Sequence, residues 1–263
     1  MPDDKEGDSL VKKSRIFAQI ENYVYLCGRN RKILCMIWMY VAALLPVFVL
    51  GSYIYFRDPV PEPFSCLFRA FIAGVCLCVP VAFFENFISH LLFAGGGPVT
   101  LFGTTIQAFC VAAIPEETAK LLALWLVLRR NPHFDERFDG IVYAVCVGLG
   151  FAAIENVAYV LQSGEGWLTV AAMRALLAVP GHYAFAIIMG YYYSIYHFVS
   201  RTPSTAVKML LLPVLAHGVY DSLAMSGSVD PLAGGLSFFV LIFFCIKLQK
   251  AARKRVLELA NKN

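Results

Sequence analysis

Ionisable side chains recur in the middle of long apolar stretches of this chain. An ionisable group at bilayer depth costs at least a few kcal/mol, so such groups face the interior of a helical bundle and mark functional sites. A single buried glutamate or histidine can also be a hydrogen-bonded packing residue, but eight on four consecutive stretches predict a site. They are Glu116, Glu117, Lys120, Glu155, Arg174, His182, His217 and Asp221.

Helical spacing shows which of these groups can cooperate. Glu116 lies four residues before Lys120 and shares a helical face with it, whereas Glu117 is three residues before the lysine. His217 and Asp221 are also four apart. A carboxylate one turn from an imidazole can orient the ring and fix its tautomer, so the sequence predicts a functional His–Asp pair.

Membrane-spanning helices must position these groups. The 263 residues are 59% hydrophobic and 15% charged, whereas soluble domains carry about 25% charged residues. The apolar runs are about 20 residues long, enough to cross about 30 Å of hydrocarbon, and no strand alternation appears. The predicted fold is an all-α, polytopic transmembrane helical bundle. About seven spans are expected, at 33–56, 67–93, 100–128, 138–161, 168–197, 206–225 and 231–249.

Basic residues near the ends of the spans predict the orientation. They occur in the linkers at 129–137 and 201–208 and in the C-terminal tail, which are therefore expected to be cytoplasmic. Seven spans then place the N-terminus outside, although the leader at 1–31 is itself rich in Lys and Arg. Either the charges of the leader are outweighed, or an eighth crossing or a re-entrant first segment exists.

Three parts of the chain are distinguished by composition. Residues 1–31 form a polar leader without a signal-peptide cleavage site, as an interfacial helix or a solvated segment. Residues 32–250 form the membrane domain, and 251–263 a basic tail. The net charge of +4 is small and lies in the ends and loops, so no nucleic-acid partner is expected. The eight cysteines form no CxxC pair and are expected to be small buried hydrophobes.

Longer motifs surround the ionisable residues. The Arg57-Asp58 turn, GGG at 95–97, PEETAK at 115–120, HFDERFDGIVYA at 133–144, GFAAIENVAYV at 150–160, RALLAVPGH at 174–182 and HGVYD at 217–221 follow one another between Ser52 and Asp221. Over this range the sequence resembles the PrsW family of membrane proteases. That family makes the first cut in anti-sigma factors and is related to the CAAX prenyl endopeptidases and bacterial immunity proteins.

The resemblance implies a site, a partner and a location. The site would comprise the paired glutamates, the glutamate of an FxxxE motif and two later histidines, with Asp221 at a position where relatives can have Asn. The protease domain would be 32–250, in a multi-pass protein of the cell membrane. Its partners would be the lipid bilayer and a single-span membrane protein such as an anti-sigma factor, cut toward the extracytoplasmic side. The residues that the resemblance implies for the site are Glu116, Glu117, Phe151, Glu155, His182 and His217.

Peptide hydrolysis without a serine or cysteine nucleophile needs an activated water and a group that stabilises the oxyanion. No GxSxG nucleophile elbow is present. We expect Glu116 to act as general base with help from His182, and His217, oriented by Asp221, to donate to the oxyanion. The other two site glutamates would tune the base or hold the water.

Two other functions are compatible with the same residues. A zinc metalloprotease would use His182, His217, Glu116 and Glu155 as ligands, although no HExxH motif is present. A proton-coupled transporter would use the buried acids and histidines as a relay. Metal-free glutamate catalysis, with no cofactor, is the favoured expectation; a noncatalytic scaffold would not need this density of buried charge.

Overall fold

The structure is a computed structural model that describes residues 33–94 and 96–261, and within these ranges it contains helices and no strand. The predicted all-α polytopic bundle of about seven spans is confirmed. The leader predicted at 1–31 lies outside the described residues. The helices are α1 Ile33–Tyr55, α2 Phe64–Phe93, α3 Leu101–Ile106, α4 Ile114–Leu128, α5 Asp139–Gln162, α6 Trp167–Met173, α7 Val179–Ser194, α8 Pro203–Met225 and α9 Pro231–Ala260.

Six helical segments of the described chain are long and apolar enough to cross a membrane. They correspond to the predicted spans except the third, at 100–128, which is helical throughout but carries the charged motif of α4. The last helix differs most from expectation, because α9 continues beyond 249 to Ala260. Ala252, Val256 and Leu259 repeat at helical spacing and are buried in the core, so apolar packing extends the helix through the basic stretch. The proposed boundary at 250 stays a prediction, within a continuous helix.

Two π-helical segments precede the residues of interest. Gln107–Ala113 joins α3 to α4, and Arg174–Ala178 joins α6 to α7. Pro115 and Pro180 follow within two residues, near the first turn of the next helix. Proline cannot donate a backbone hydrogen bond and its ring clashes with the carbonyl four residues earlier. The wider π turn accommodates this clash, so each helix continues through its proline.

Helices α5 and α7 form the centre of the bundle. Helix α5 packs against α2 and α7, and α7 also packs against α8 and α9. Small residues permit these close contacts: a Cβ atom at Gly190 would lie 2.2 Å from the carbonyl oxygen of Gly140, and one at Gly150 would lie 2.1 Å from that of Phe71. The backbones of α2, α5 and α7 therefore approach closely and fix the positions of the side chains between them.

Successive crossings place the linkers at two ends of the bundle. The linkers at 56–63, 129–138 and 200–202 lie at one end together with the C-terminal end of α9. We call this the basic end, since it holds the arginines and lysines from which the cytoplasmic side was predicted. The linkers at 94–100, 163–166 and 226–230 lie at the opposite end.

Candidate active site

A cavity of about 1070 Å³ lies among α2, both π segments and helices α4 to α9. One residue of the predicted site, Glu117, is fully buried behind the cavity wall. It contacts Lys120, which is also behind the wall, and His217, which lines the cavity. The structure thus brings together all six residues selected from the sequence. The five that line the cavity are Glu116, Glu155, His182, His217 and Asp221.

Lys120 lies at the centre of the contacts behind the wall. Its Nζ atom is 2.8 Å from Glu116 Oε2 and 2.9 Å from Glu117 Oε1, and all three side chains are buried. The ammonium group also lies 4.3 Å from the centre of the Phe151 ring. The first turn of α4 therefore points two carboxylates into the bundle, and the next turn supplies their counter-ion, Lys120, which the cation–π contact holds in place.

His182 contacts a donor on one nitrogen and an acceptor on the other. Its Nδ1 atom is 3.3 Å from Lys120 Nζ, and its Nε2 atom is 2.7 Å from Glu155 Oε2. An ammonium group can only donate, so Nδ1 must accept. The contacts therefore select the neutral tautomer in which Nε2–H donates to Glu155.

Arg174 orients Glu155 from the second π segment. Its Nη2 atom forms an ion pair with Glu155 Oε2 at 3.1 Å, and its Nε donates to Asn156 Oδ1 at 2.6 Å. The Asn156 amide in turn donates to the Ala43 carbonyl oxygen at 2.6 Å. The sequence identified Arg174 as a buried charge but gave it no role, because its partners are distant in sequence.

His217 is bracketed by two carboxylates. Its Nδ1 atom lies 2.9 Å from Glu117 Oε1, and its Nε2 atom lies 3.2 Å from Asp221 Oδ2. The Phe185 ring stacks on the imidazole with centroids 4.9 Å apart. The expected contact with Asp221 is present, and the partner on Nδ1 was not foreseen. Both nitrogens can donate at once only in the imidazolium form, which this arrangement favours.

Glu85 on α2 belongs to the same cavity. It lines the same wall as Glu116, and its Oε1 atom is buried without a hydrogen-bond partner. The sequence alone is compatible with two interpretations of Glu85, a partner of the site or a group near the membrane surface. The signal was the echo of Phe84-Glu85-Asn86 in the motif around Glu155.

The donor set also has the composition of a catalytic zinc site. Glu116, His182 and His217 each offer one ligand atom, and these atoms lie within 4.8 Å of one another. Two histidines and a glutamate are a known set for catalytic zinc, so the residues fit this ion chemically. Glu155, the fourth ligand expected from sequence, lies outside this group and instead pairs with His182 and Arg174.

Comparisons with known proteins connect this geometry to a family. The family model described as PrsW family intramembrane metalloprotease matches residues 62–248. This range includes every side chain of the site discussed above. The chain belongs to the PrsW family. It is therefore a membrane-embedded peptidase, an intramembrane protease of that family.

Several curated PrsW proteases are similar over most of their length. Protease PrsW of Geobacillus kaustophilus is 35% identical over 214 residues, covering 81% of this chain and 91% of the relative. The Oceanobacillus iheyensis protein is 33% identical over 217 residues, with 81% and 94% covered. The Bacillus subtilis protein is 33% identical over 221 residues, with the same two shares covered, 81% and 94%. No solved structure matches the chain.

Proposed function

We propose that this chain is an endopeptidase of the cell membrane that cuts a single-span membrane protein of the anti-sigma-factor type with a water activated by Glu116. The observation that carries the proposal is the cavity, whose wall presents a carboxylate and two imidazoles from three different helices. A membrane-buried cavity suits a substrate that arrives within the bilayer. The substrate class follows from the resemblance of the motifs to those of the PrsW family.

The proposed reaction begins with Glu116. Its carboxylate accepts a proton from water as the oxygen attacks the scissile carbonyl carbon, giving a tetrahedral oxyanion. The proton then passes to the leaving amine nitrogen, and the C–N bond breaks. The oxyanion is stabilised by the Nε2–H of His217, which exchanges its contact with Asp221 for the oxyanion while Nδ1–H stays on Glu117. This ring borders the cavity, and its contacts favour the charged form.

The neighbouring acids act through the two histidines. Glu117 contacts His217 from behind the wall, and Glu155 contacts His182. Neither contact requires the acid to touch the substrate. We therefore assign Glu117 and Glu155 positioning roles, which replace the expectation that they hold the water.

Cleavage by purified protein tests the proposal. The full chain is reconstituted with a single-span substrate, beside Glu116→Gln and the control Glu165→Gln, an exposed residue of the Gly164–Gly166 turn. We expect wild type and the control to cut and the Glu116 variant to lose activity by about 10²-fold or more, the loss usual for a general base. Full activity in the Glu116 variant would refute the assigned chemistry.

A zinc-dependent reaction is the second candidate. Two observations favour it: the converging ligand atoms of Glu116, His182 and His217, and the word metalloprotease in the family description. A zinc ion held there would supply Lewis-acid chemistry and a water of lowered pKa. In the metal-free alternative, Lys120 provides the positive charge next to the same donors.

Metal content separates the two candidates. The metal-dependent reaction predicts about one zinc per chain in purified protein, lost together with activity in chelator and absent from His182→Ala. The metal-free reaction predicts activity that survives removal of all measurable zinc. Elemental analysis on the same samples gives a readout that does not depend on cleavage.

A further inference from the structure

A second group of carboxylates lies at the basic end of the bundle. Glu62 belongs to the linker at 56–63, Asp135 to the linker at 129–138, and Asp139 begins α5. One carboxylate oxygen from each lies within 4.8 Å of the others. Sixteen residues of α5 separate Asp139 from Glu155, about 24 Å along the helix axis. The group is therefore distinct from the peptidase site.

Hydrogen bonds hold two of these carboxylates, those of Asp139 and Glu62, in fixed positions. The backbone N–H groups of Asp135 and Glu136 donate to Asp139 Oδ2 at 3.0 and 2.7 Å. The Tyr143 hydroxyl donates to Glu62 Oε2. Both Asp139 and Glu62 are almost fully buried, at 0% and 6% exposed. Asp139 and Glu62 therefore cannot swing into solvent to reduce their mutual repulsion.

Two buried oxygens of this region have no partner. Asp139 Oδ1 is buried and unbonded, and so is Oδ2 of Asp58, a residue that is 7% exposed in the same linker as Glu62. Buried acceptors are normally satisfied, and a buried carboxylate is normally paired or coordinates a metal. These two oxygens, one in the α1–α2 linker and one at the start of α5, thus lack the proton donor or cation that burial demands.

Side-chain cations of the described residues do not meet this demand. None of the ion pairs within 33–94 and 96–261 joins a lysine or arginine to Glu62, Asp135 or Asp139. The exposed His133 only partly offsets the charge near Glu62. The acids are therefore incompletely compensated.

We propose that Glu62, Asp135 and Asp139 bind a hard divalent cation, Ca²⁺ or Mg²⁺, which joins the α1–α2 linker to the α4–α5 linker. The donor atoms are all oxygens, as these ions prefer, and not the nitrogen or sulfur ligands typical of zinc. Ligand atoms within 4.8 Å of one another fit around an ion with bonds of about 2.3–2.6 Å, the range for Ca²⁺. Waters complete the shell on the exposed side of Asp135.

The ion would fix the N-terminal end of α5. Glu155 lies near the C-terminal end of the same helix. A cation that binds only the folded protein stabilises it by mass action. The expected consequence is a thermal stability that depends on Ca²⁺ or Mg²⁺. This effect is independent of the peptidase reaction.

Thermal unfolding of the purified full chain tests this site. Protein stripped with chelator is titrated with CaCl₂ or MgCl₂, and we expect at least one ion to raise Tm by several °C, about 2.7 kcal/mol at 100 times Kd. Asp135→Asn is the informative variant, since Asp135 is exposed and its replacement should not disturb folding. It should weaken the ion's apparent affinity about tenfold or more, because ligand charge sets affinity.

Two controls locate the effect. Glu165→Gln removes an exposed acid at the opposite end and should keep the full shift. Glu116→Gln should also keep it, which separates this site from any metal at the peptidase cavity and from the fate of the proposed function. Equilibrium dialysis should find one Ca²⁺ or Mg²⁺ per wild-type chain.

Two results would overturn the proposal. Absence of any Tm shift and of bound ion in the wild type would mean that protons alone neutralise the acids. An equal shift in wild type and in Asp135→Asn, Glu62→Gln and Asp139→Asn would mean that the ions act elsewhere on the protein.

Discussion

At the residue scale, Lys120 links the two glutamates of α4 to His182 of α7. Its ammonium group contacts Glu116 and Glu117 directly and faces His182, so one positive charge holds three groups of the site. Removal of one partner from a buried ion pair is costly, typically about 3–5 kcal/mol. The site is therefore a single electrostatic unit whose members depend on one another.

Glu117→Gln tests this dependence. We expect a severe loss of cleavage although Glu117 lies outside the cavity, because the amide cannot support a charged His217 and releases part of the hold on Lys120. Activity is measured on a reconstituted single-span substrate, and membrane insertion and Tm are checked on the same sample. Unchanged activity in this variant would show that the contact between Glu117 and His217 is not needed for cleavage.

His217→Ala and Asp221→Asn should differ in severity. The alanine removes the ring, whereas the asparagine still accepts a hydrogen bond from Nε2 at the observed position. Initial cleavage rates should rank wild type above Asp221→Asn and Asp221→Asn above His217→Ala. Equal and complete loss in both variants would indicate that Asp221 acts as a ligand or base in its own right.

Asp58→Asn tests the acidic region through pH. The pKa of Asp58 is raised to about 6 by burial, with Glu62 and Glu136 adding repulsion. A raised carboxyl pKa means that the folded state holds the proton more tightly, so stability is lost as pH rises through about 6. With chelator present, the Tm of the wild type should fall relative to that of the variant as the pH rises from about 4 to 6. A constant difference across this range would contradict the burial of an uncompensated Asp58.

The sequence predicted the contacts of the site that lie one helical turn apart and missed those between helices. The Glu116–Lys120 and His217–Asp221 pairs follow from a spacing of four. The contact between Glu117 and His217 joins residues 100 positions apart, and no periodicity encodes it. Glu85 was ambiguous for the same reason, since one carboxylate on one helix does not reveal its partner.

At the element scale, hydrophobic length predicted the spans because about 20 apolar residues are a physical requirement for crossing the bilayer. The end of α9 was missed because Ala252, Val256 and Leu259 are separated by basic residues, which lower local hydropathy although one face remains apolar. The π segments were also missed. They depend on how each proline is accommodated in three dimensions, and a proline alone predicts only a kink or a break.

Gly190→Ala tests the close approach of α5 and α7. The added methyl would lie 2.2 Å from the Gly140 carbonyl oxygen and 2.8 Å from the Ala144 Cβ atom. Overpacking of this kind costs about 1–3 kcal/mol, so Tm and cleavage should both fall. Gly235→Ala is the matched control, since a Cβ there meets no atom within 4 Å. Its Tm should stay equal or rise, because alanine is the better helix former; a similar loss in both variants would refute the close-packing explanation.

At the scale of the whole molecule, the site lies off-centre along the bundle. Glu155 is seven residues from the end of α5 at Gln162 and sixteen from its start, about 10 and 24 Å. Asp221 is likewise close to the end of α8 at Met225. Both residues are nearer the end opposite the basic linkers, which the distribution of arginine and lysine predicts to be extracytoplasmic.

The scissile bond should accordingly lie in the extracytoplasmic half of the substrate's span. Mass spectrometry of both product termini from a reconstituted reaction measures this position. A cut in the cytoplasmic half would mean that the orientation or the assigned catalytic set is wrong. A substrate with its span shortened from the cytoplasmic end provides the matched control, and its cleavage position should not move.

The π segment Gln107–Ala113 also sets the rotation of α3 about the helix axis relative to α4. One extra residue in a turn rotates the preceding helix by about 100° relative to the helix that follows. Deletion of a single residue there would restore an unbroken α-helical phase and leave Glu116 in place, but it would turn α3 and carry Gln107 away from the cavity that it lines. The apolar pattern of α3 therefore cannot be extrapolated into α4, and chain length in this segment is constrained as strictly as residue identity.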